Sequence, residues 1–100
     1  MIESEKDIER KLTEEVKKLG GLSIKLLPSL INGLPDRMLL LPGGRIIFME
    51  LKSTGEKPRK IQIFIHKRFK TLGFPVFVGD TWEGVKSKLY EIYGQQAPNS

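Results

Sequence analysis

The 100-residue chain contains no cysteine. Disulfides, thiolate metal sites and cysteine nucleophiles are excluded, and a cytoplasmic setting is the expectation. No apolar run approaches the roughly 20 residues of a membrane helix, so no membrane partner is expected. The first residues are acidic and lack a hydrophobic segment, which speaks against a signal peptide. There is no repeat and no low-complexity tract. The length leaves room for one domain, expected over residues 1–94, with 95–100 carrying nothing that would pack and expected to fray. Acids are missing from one long segment: between Lys57 and Lys70 stand Lys57, Arg59, Lys60, Lys67, Arg68 and Lys70, and no Asp or Glu. The whole chain has a net charge of +5 and a pI near 9.6. Such a balance favours anionic partners, nucleic acid first. A solvated basic helix face is the bland reading of the same segment.

What is present alternates between two periods. From Ser4 to Leu19, residues Ile8, Leu12, Val16 and Leu19 recur at helical spacing. Ser4 suits the cap, Asp7 stands three residues on, and Gly20-Gly21 supplies a stop. Leu22 to Leu27 reads as a short strand. Pro28 to Asn32 is a loop in which Leu30 and Ile31 hint at a contact surface. Met38–Leu41 and Ile46–Met49 read as a hairpin turned by Pro42-Gly43-Gly44. A second helix is expected from Pro58 to about Leu72, with Ile61, Ile65, Phe69 and Leu72 inward, Phe64 beside them, and Ile63 off the stripe. Phe74–Val78 is a strand. Thr81 caps a last helix through Tyr93, closed by Gly94, with Val85, Leu89 and Ile92 inward. The order is αβββαβα. The crossover from the third strand through the second helix makes the third and fourth strands parallel.

Polar residues sit where such a hairpin should be greasy. Asp36 starts its first strand, and Glu50 and Lys52 end its second. Side chains two apart share a face, so Glu50 and Lys52 point one way and Leu51 the other. Charges beside apolar strands are costly unless paired or holding an ion. A buried ion pair that only positions the hairpin is the structural alternative, but such pairs are poor stabilisers compared with apolar residues.

Pro35-Asp36 followed by Glu50-Leu51-Lys52 resembles the PD-(D/E)xK motif of restriction-endonuclease-like nucleases. The surrounding letters are similar to the VRR-NUC branch, the virus-type replication-repair nucleases. These are Gly33-Leu34-Pro35-Asp36, the hairpin, Gln62 ahead of a helix ending at Leu72-Gly73, and Ile8-Glu9, Leu12, Gly20-Gly21 and Lys25. The likeness runs from about Glu5 to about Val85. It implies an α/β fold with a restriction-endonuclease-like core, a mixed four-stranded sheet flanked by helices. It also implies a metal-dependent endonuclease of DNA replication or repair, in a bacterial or phage-infected cell. The stretch Pro28-Ser29-Leu30-Ile31-Asn32 departs from a loop that is often richer in glycine and basic residues.

The residue types suit that chemistry. Phosphodiester hydrolysis needs a placed water and neutralisation of phosphoryl charge, and a hard divalent cation with oxygen ligands serves both. Asp36 and Glu50 offer carboxylates from adjacent strands, and the Leu51 carbonyl a neutral oxygen, for Mg2+ or Mn2+. Lys52 orients water, stabilises developing charge or acts as base; the residues do not choose among these. From the resemblance alone come Glu9 from the first helix, as a ligand or through a water and to the same or a second ion, Gln62 as a donor to the water or to Lys52, and Lys25 as a phosphate contact. His66, one turn after Gln62, is expected at the surface of a basic helix rather than in the cleft. The substrate expected is branched DNA, four-way junctions first, cut by a homodimer, with a helicase or replication protein as partner. The competing reading is a catalytically weak or inactive nucleic-acid-binding module of the same fold.

Overall fold

The computed structural model describes residues 2–96. Its elements are α1 (Glu5–Lys18), β1 (Leu22–Lys25), β2 (Arg37–Leu41), β3 (Arg45–Leu51), α2 (Lys60–Thr71), β4 (Val76–Gly79) and α3 (Trp82–Gln96). The four strands form one sheet in the order β1-β2-β3-β4, antiparallel except for the parallel β3–β4 pair. The αβββαβα order and the mixed sheet are those anticipated from the residues.

Local chemistry sets the boundaries. The Ser4 hydroxyl accepts the Asp7 N–H at 3.1 Å, and acids in the first turn of α1 and lysines in the last complement the helix dipole. The helix ends in a paired cap: Gly21 N–H reaches the Val16 carbonyl and Gly20 N–H that of Lys17, both at 2.9 Å. Helix α2 closes the same way, Phe74 N–H on Phe69 and Gly73 N–H on Lys70. The β2–β3 turn uses Gly43 and Gly44 at φ of 88° and 75°, a region closed to most side chains.

Several boundaries differ from those read in the sequence. Strand β1 stops at Lys25, and β4 runs from Val76 to Gly79 with Pro75 just ahead of it. Helix α2 starts at Lys60 behind an Arg59 cap, so Pro58 lies outside its first turn. Gly94 does not close α3, which continues to Gln96. Glycine stops a helix by turning to positive φ, and Gly94 does not do so. Of residues 95–100, expected to fray, Gln95 and Gln96 belong to α3, and 97–100 lie outside the described residues.

One face of the sheet carries the main core. Ile8, Leu12 and Val16 of α1, Leu39 and Leu41 of β2, Ile47, Met49 and Leu51 of β3, and Val85, Leu89 and Ile92 of α3 form one buried cluster. Each such side chain contributes about 1.5–3 kcal/mol by burial. The other face is covered more thinly by α2. Phe48 meets Phe69 edge-on at 5.0 Å between ring centres. Phe64 and Leu72, expected inward, are 60% and 65% exposed, because one helix on this face leaves its flanks open.

Two close approaches place the parts of the site. Gly33 lies so near α2 that a Cβ there would sit 2.6 Å from the Ile61 carbonyl oxygen, so the loop before β2 docks against α2. At the other end, residues at and just ahead of the start of α1 clasp the loop after β3. Thr54 N–H donates to the Glu3 carbonyl at 3.0 Å, Glu5 N–H to Ser53 Oγ at 3.0 Å, and Trp82 N–H to Glu3 Oε1 at 2.9 Å. Asp80 Oδ2 accepts the Gly55 N–H at 2.9 Å.

Candidate active site

Asp36 is held from both neighbouring strands. Its carbonyl accepts the Leu26 N–H at 2.8 Å, and its Oδ2 accepts the Leu51 N–H at 2.8 Å. The motif aspartate is thus fixed by the backbone of the residue between Glu50 and Lys52. Leu51 itself is fully buried in the main core, while Glu50 points to the α2 side, as the alternation of a strand requires.

Glu50 is 1% exposed. Its Oε2 accepts the Gln62 amide at 2.8 Å and lies 3.2 Å from Lys52 Nζ. Burial first, then the negative charge of Asp36, pushes the Glu50 carboxyl up to about 7, with Lys52 pulling the other way. The other oxygen, Oε1, is buried without a hydrogen-bond partner. A carboxylate this buried, beside a second carboxylate and facing one ammonium, is short of positive charge.

Gln62 is the one buried residue of α2. Its Oε1 accepts the Arg59 N–H at 2.8 Å, which leaves its amide nitrogen for Glu50. The family resemblance assigns Gln62 to the water or to Lys52; the structure pairs it with Glu50. It closes the first turn of the helix and reaches the site with the same side chain. His66 is likewise not at the surface. Its side chain is 11% exposed and its Nε2 lies 3.7 Å from Glu50 Oε1. Burial holds its pKa below the ordinary histidine value, against the opposing charge of Asp36.

Helix α1 contributes differently from the expectation. Glu9 Oε1 is 3.0 Å from Arg37 Nη2, and its Oε2 is 3.8 Å from Lys25 Nζ. Arg37 is buried and also donates to Ser23 Oγ at 3.4 Å. Glu9 therefore ties α1 to β1 and β2, and Lys25 shares that carboxylate. Glu5, one turn earlier on the same helix face, is the acid that sequence reasoning misses. Its carboxyl is raised by burial first and then by the charge of Asp36, while Lys52 lowers it. The spacing of four between Glu5 and Glu9 is the signal in the sequence, and it does not say which of the two faces the hairpin. Arg37 has no signal beyond its place next to Asp36.

Among the described residues, no three His, Asp or Glu side chains close into a ready-made metal cage. Glu9 pairs with Arg37 and Lys25. Of the basic residues, Lys57, Arg59, Lys60, Lys67, Arg68 and Lys70 are all exposed, and none is in an ion pair with a described residue. Three of the five cations of α1 differ: Arg10, Lys11 and Lys18 each face a glutamate.

No protein-family model matches the chain. Over 77 residues it is 44% identical to the protein named "Putative nuclease p44" of Acyrthosiphon pisum secondary endosymbiont phage 1, an overlap spanning 77% of this chain and 83% of that one. A solved structure described as "VRR_NUC domain" superposes with a TM-score of 0.79 at 34% sequence identity, covering 91% of this chain and 99% of its own. Both the architecture and the kinship agree with what stands at the end of the hairpin, and the chain belongs to the VRR-NUC family of nuclease domains.

Proposed function

We propose that the protein is a divalent-metal-dependent DNA endonuclease that cuts branched DNA as a homodimer. The observation that carries the metal-dependent reading is Glu50: buried, beside Asp36, and with Oε1 lacking a partner. Such a carboxylate fits a hard cation. Asp36, Glu50 and the Leu51 carbonyl are the groups that would hold Mg2+ or Mn2+, the remaining positions falling to solvent and phosphate, as suits an ion that keeps several waters. Bound there, the ion would neutralise phosphoryl charge and make water a stronger nucleophile.

The chain's own residues divide the rest of the work. Asp36 is pre-oriented by the Leu51 N–H. Lys52 brings positive charge to the phosphate and stabilises what develops there in the transition state. Gln62 fixes the Glu50 carboxylate, and Glu5 adds negative charge from α1. Helix α2 and the residues ahead of it carry six cations with no ion-pair partner among the described residues. Three of these, Lys57, Arg59 and Lys60, lie at or just before the N-terminal end of α2, where basic residues are unfavourable to the helix dipole and an arriving phosphate is favourable. Lys25 is a weaker candidate contact, since Glu9 already faces it. Leu30, Ile31 and Ile63 are exposed and are the proposed self-contact of the dimer, which would set two sites in fixed relation on a junction. A helicase or replication protein is the proposed partner.

The test is a cleavage panel of four-way junction, flap, nicked and linear duplex DNA with Mn2+, Mg2+ or chelator. Junction cleavage that needs the metal and is lost in Asp36→Ala is the expected result. Tight junction binding with no cleavage under either metal would leave the binding-module reading in its place.

A further inference from the structure

Two polar atoms on the site side of α2 and β3 are buried without a hydrogen-bond partner, Glu50 Oε1 and His66 Nε2. They face each other at 3.7 Å. An isolated buried donor or acceptor is costly, and here one atom is an acceptor and the other carries a proton in the matching tautomer. From 3.7 Å, a shift of about 0.8 Å brings them to an ordinary N–H···O distance. Catalytic hydrogen bonds are often long before a site is loaded and tighten on loading.

Helix geometry makes the pairing systematic. Gln62 and His66 are four residues apart, so they project from one face of α2 a turn from each other. Gln62 is locked by the Arg59 N–H and already holds Glu50 Oε2. His66 is the next group along that face, and the second oxygen is what it meets. We propose that His66 is a positioning residue, donating from Nε2 to Glu50 Oε1, so that one face of α2 grips both oxygens of the metal-site carboxylate. The grip stops the carboxylate from rotating about its last bond and aims its remaining lone pairs at the ion. This rests on the metal-site reading above. It adds to it that the ion's affinity is set in part by a residue outside the Asp36, Glu50, Lys52 trio, one that does not touch the ion.

The experiment is Mn2+ calorimetry on the intact chain, with His66→Phe, which keeps bulk and removes the donor, and His66→Gln, which restores an amide donor. Circular dichroism checks the fold, and His66→Asn replaces the phenylalanine variant if that one does not fold. His66→Phe is expected to weaken Mn2+ binding about 10–100-fold, as loss of a ligand-orienting partner does, and His66→Gln to recover most of it. The electron-spin-echo spectrum of bound Mn2+ is expected to show no nitrogen coupling from imidazole. Unchanged affinity in His66→Phe overturns the proposal, and so does a His66→Gln as weak as His66→Phe. A nitrogen coupling that vanishes in His66→Gln overturns it too, by making His66 a ligand. Asp36→Ala separates this from the parent reading. A wild-type chain that takes up no Mn2+, or takes it up equally without Asp36, overturns both. An Asp36-dependent site indifferent to residue 66 overturns the His66 role alone.

Discussion

At Glu50 the needs of folding conflict with those of the proposed metal site. Its carboxyl is raised from an ordinary 4.5 to about 7 by burial and by Asp36. Between those two values the folded chain binds the proton that the unfolded chain has released, so stability of the metal-free protein falls as pH rises through this window. Glu50→Gln removes that penalty. The expected outcome in chelator is a higher Tm than wild type at pH 8, little difference at pH 4, and no cleavage at either. Thermal melts across pH check it; equal Tm curves would mean that Glu50 is compensated already. Glu9 predicts the opposite behaviour. Without it Arg37 is left buried and unpaired, so Glu9→Ala is expected to destabilise by about 3 kcal/mol in urea melts, the low end for breaking a buried pair. The trio Asp36, Glu50 and Lys52 is legible from residue types, because charges at the ends of greasy strands need a reason. The choice between Glu5 and Glu9 is not, since both lie on the same helix face and only packing shows which one Arg37 claims.

Strands and helices are easier to read than their edges. The periodicities of α1, of the hairpin and of α3 locate those elements, because each has one face on the main core and the other in solvent. Helix α2 is harder. It covers its side of the sheet alone, so Phe64 and Leu72 look inward by spacing and stand outward in fact. Its most buried residue is the polar Gln62, which no hydrophobic pattern reveals. His66 escapes for the same reason: a histidine among lysines reads as surface until the helix is set against Glu50. The basic side of α2 makes its own prediction. Neutralising Lys67, Arg68 and Lys70 together is expected to lower the slope of log affinity against log salt by about 0.9 for every duplex phosphate these residues neutralise. Fluorescence anisotropy over a salt series measures this. An unchanged slope would place the DNA elsewhere.

The molecule measures 41 × 35 × 20 Å, so its long side spans about one turn of duplex, roughly 34 Å. One protomer thus covers little more than a single arm, and pairing is the economical way to address two arms of a junction. Leu30→Asp with Ile31→Asp is expected to shift the mass from dimer to monomer by light scattering, and to reduce junction cleavage more than linear-duplex cleavage. A wild-type monomer at micromolar concentration would remove the dimer from the proposal. The clasp that joins Glu3 to Trp82 and Thr54 to Asp80 bears on biosynthesis. Glu3 Oε1 receives the Trp82 N–H across 79 residues, and Thr54 is tied to both Glu3 and Asp80. Non-local closures of this kind are completed late in folding. On the ribosome, the ties from Thr54 to Asp80 and from Glu3 to Trp82 wait for the chain beyond β4, so the loop behind Lys52 is fully fastened only once α3 has begun to emerge.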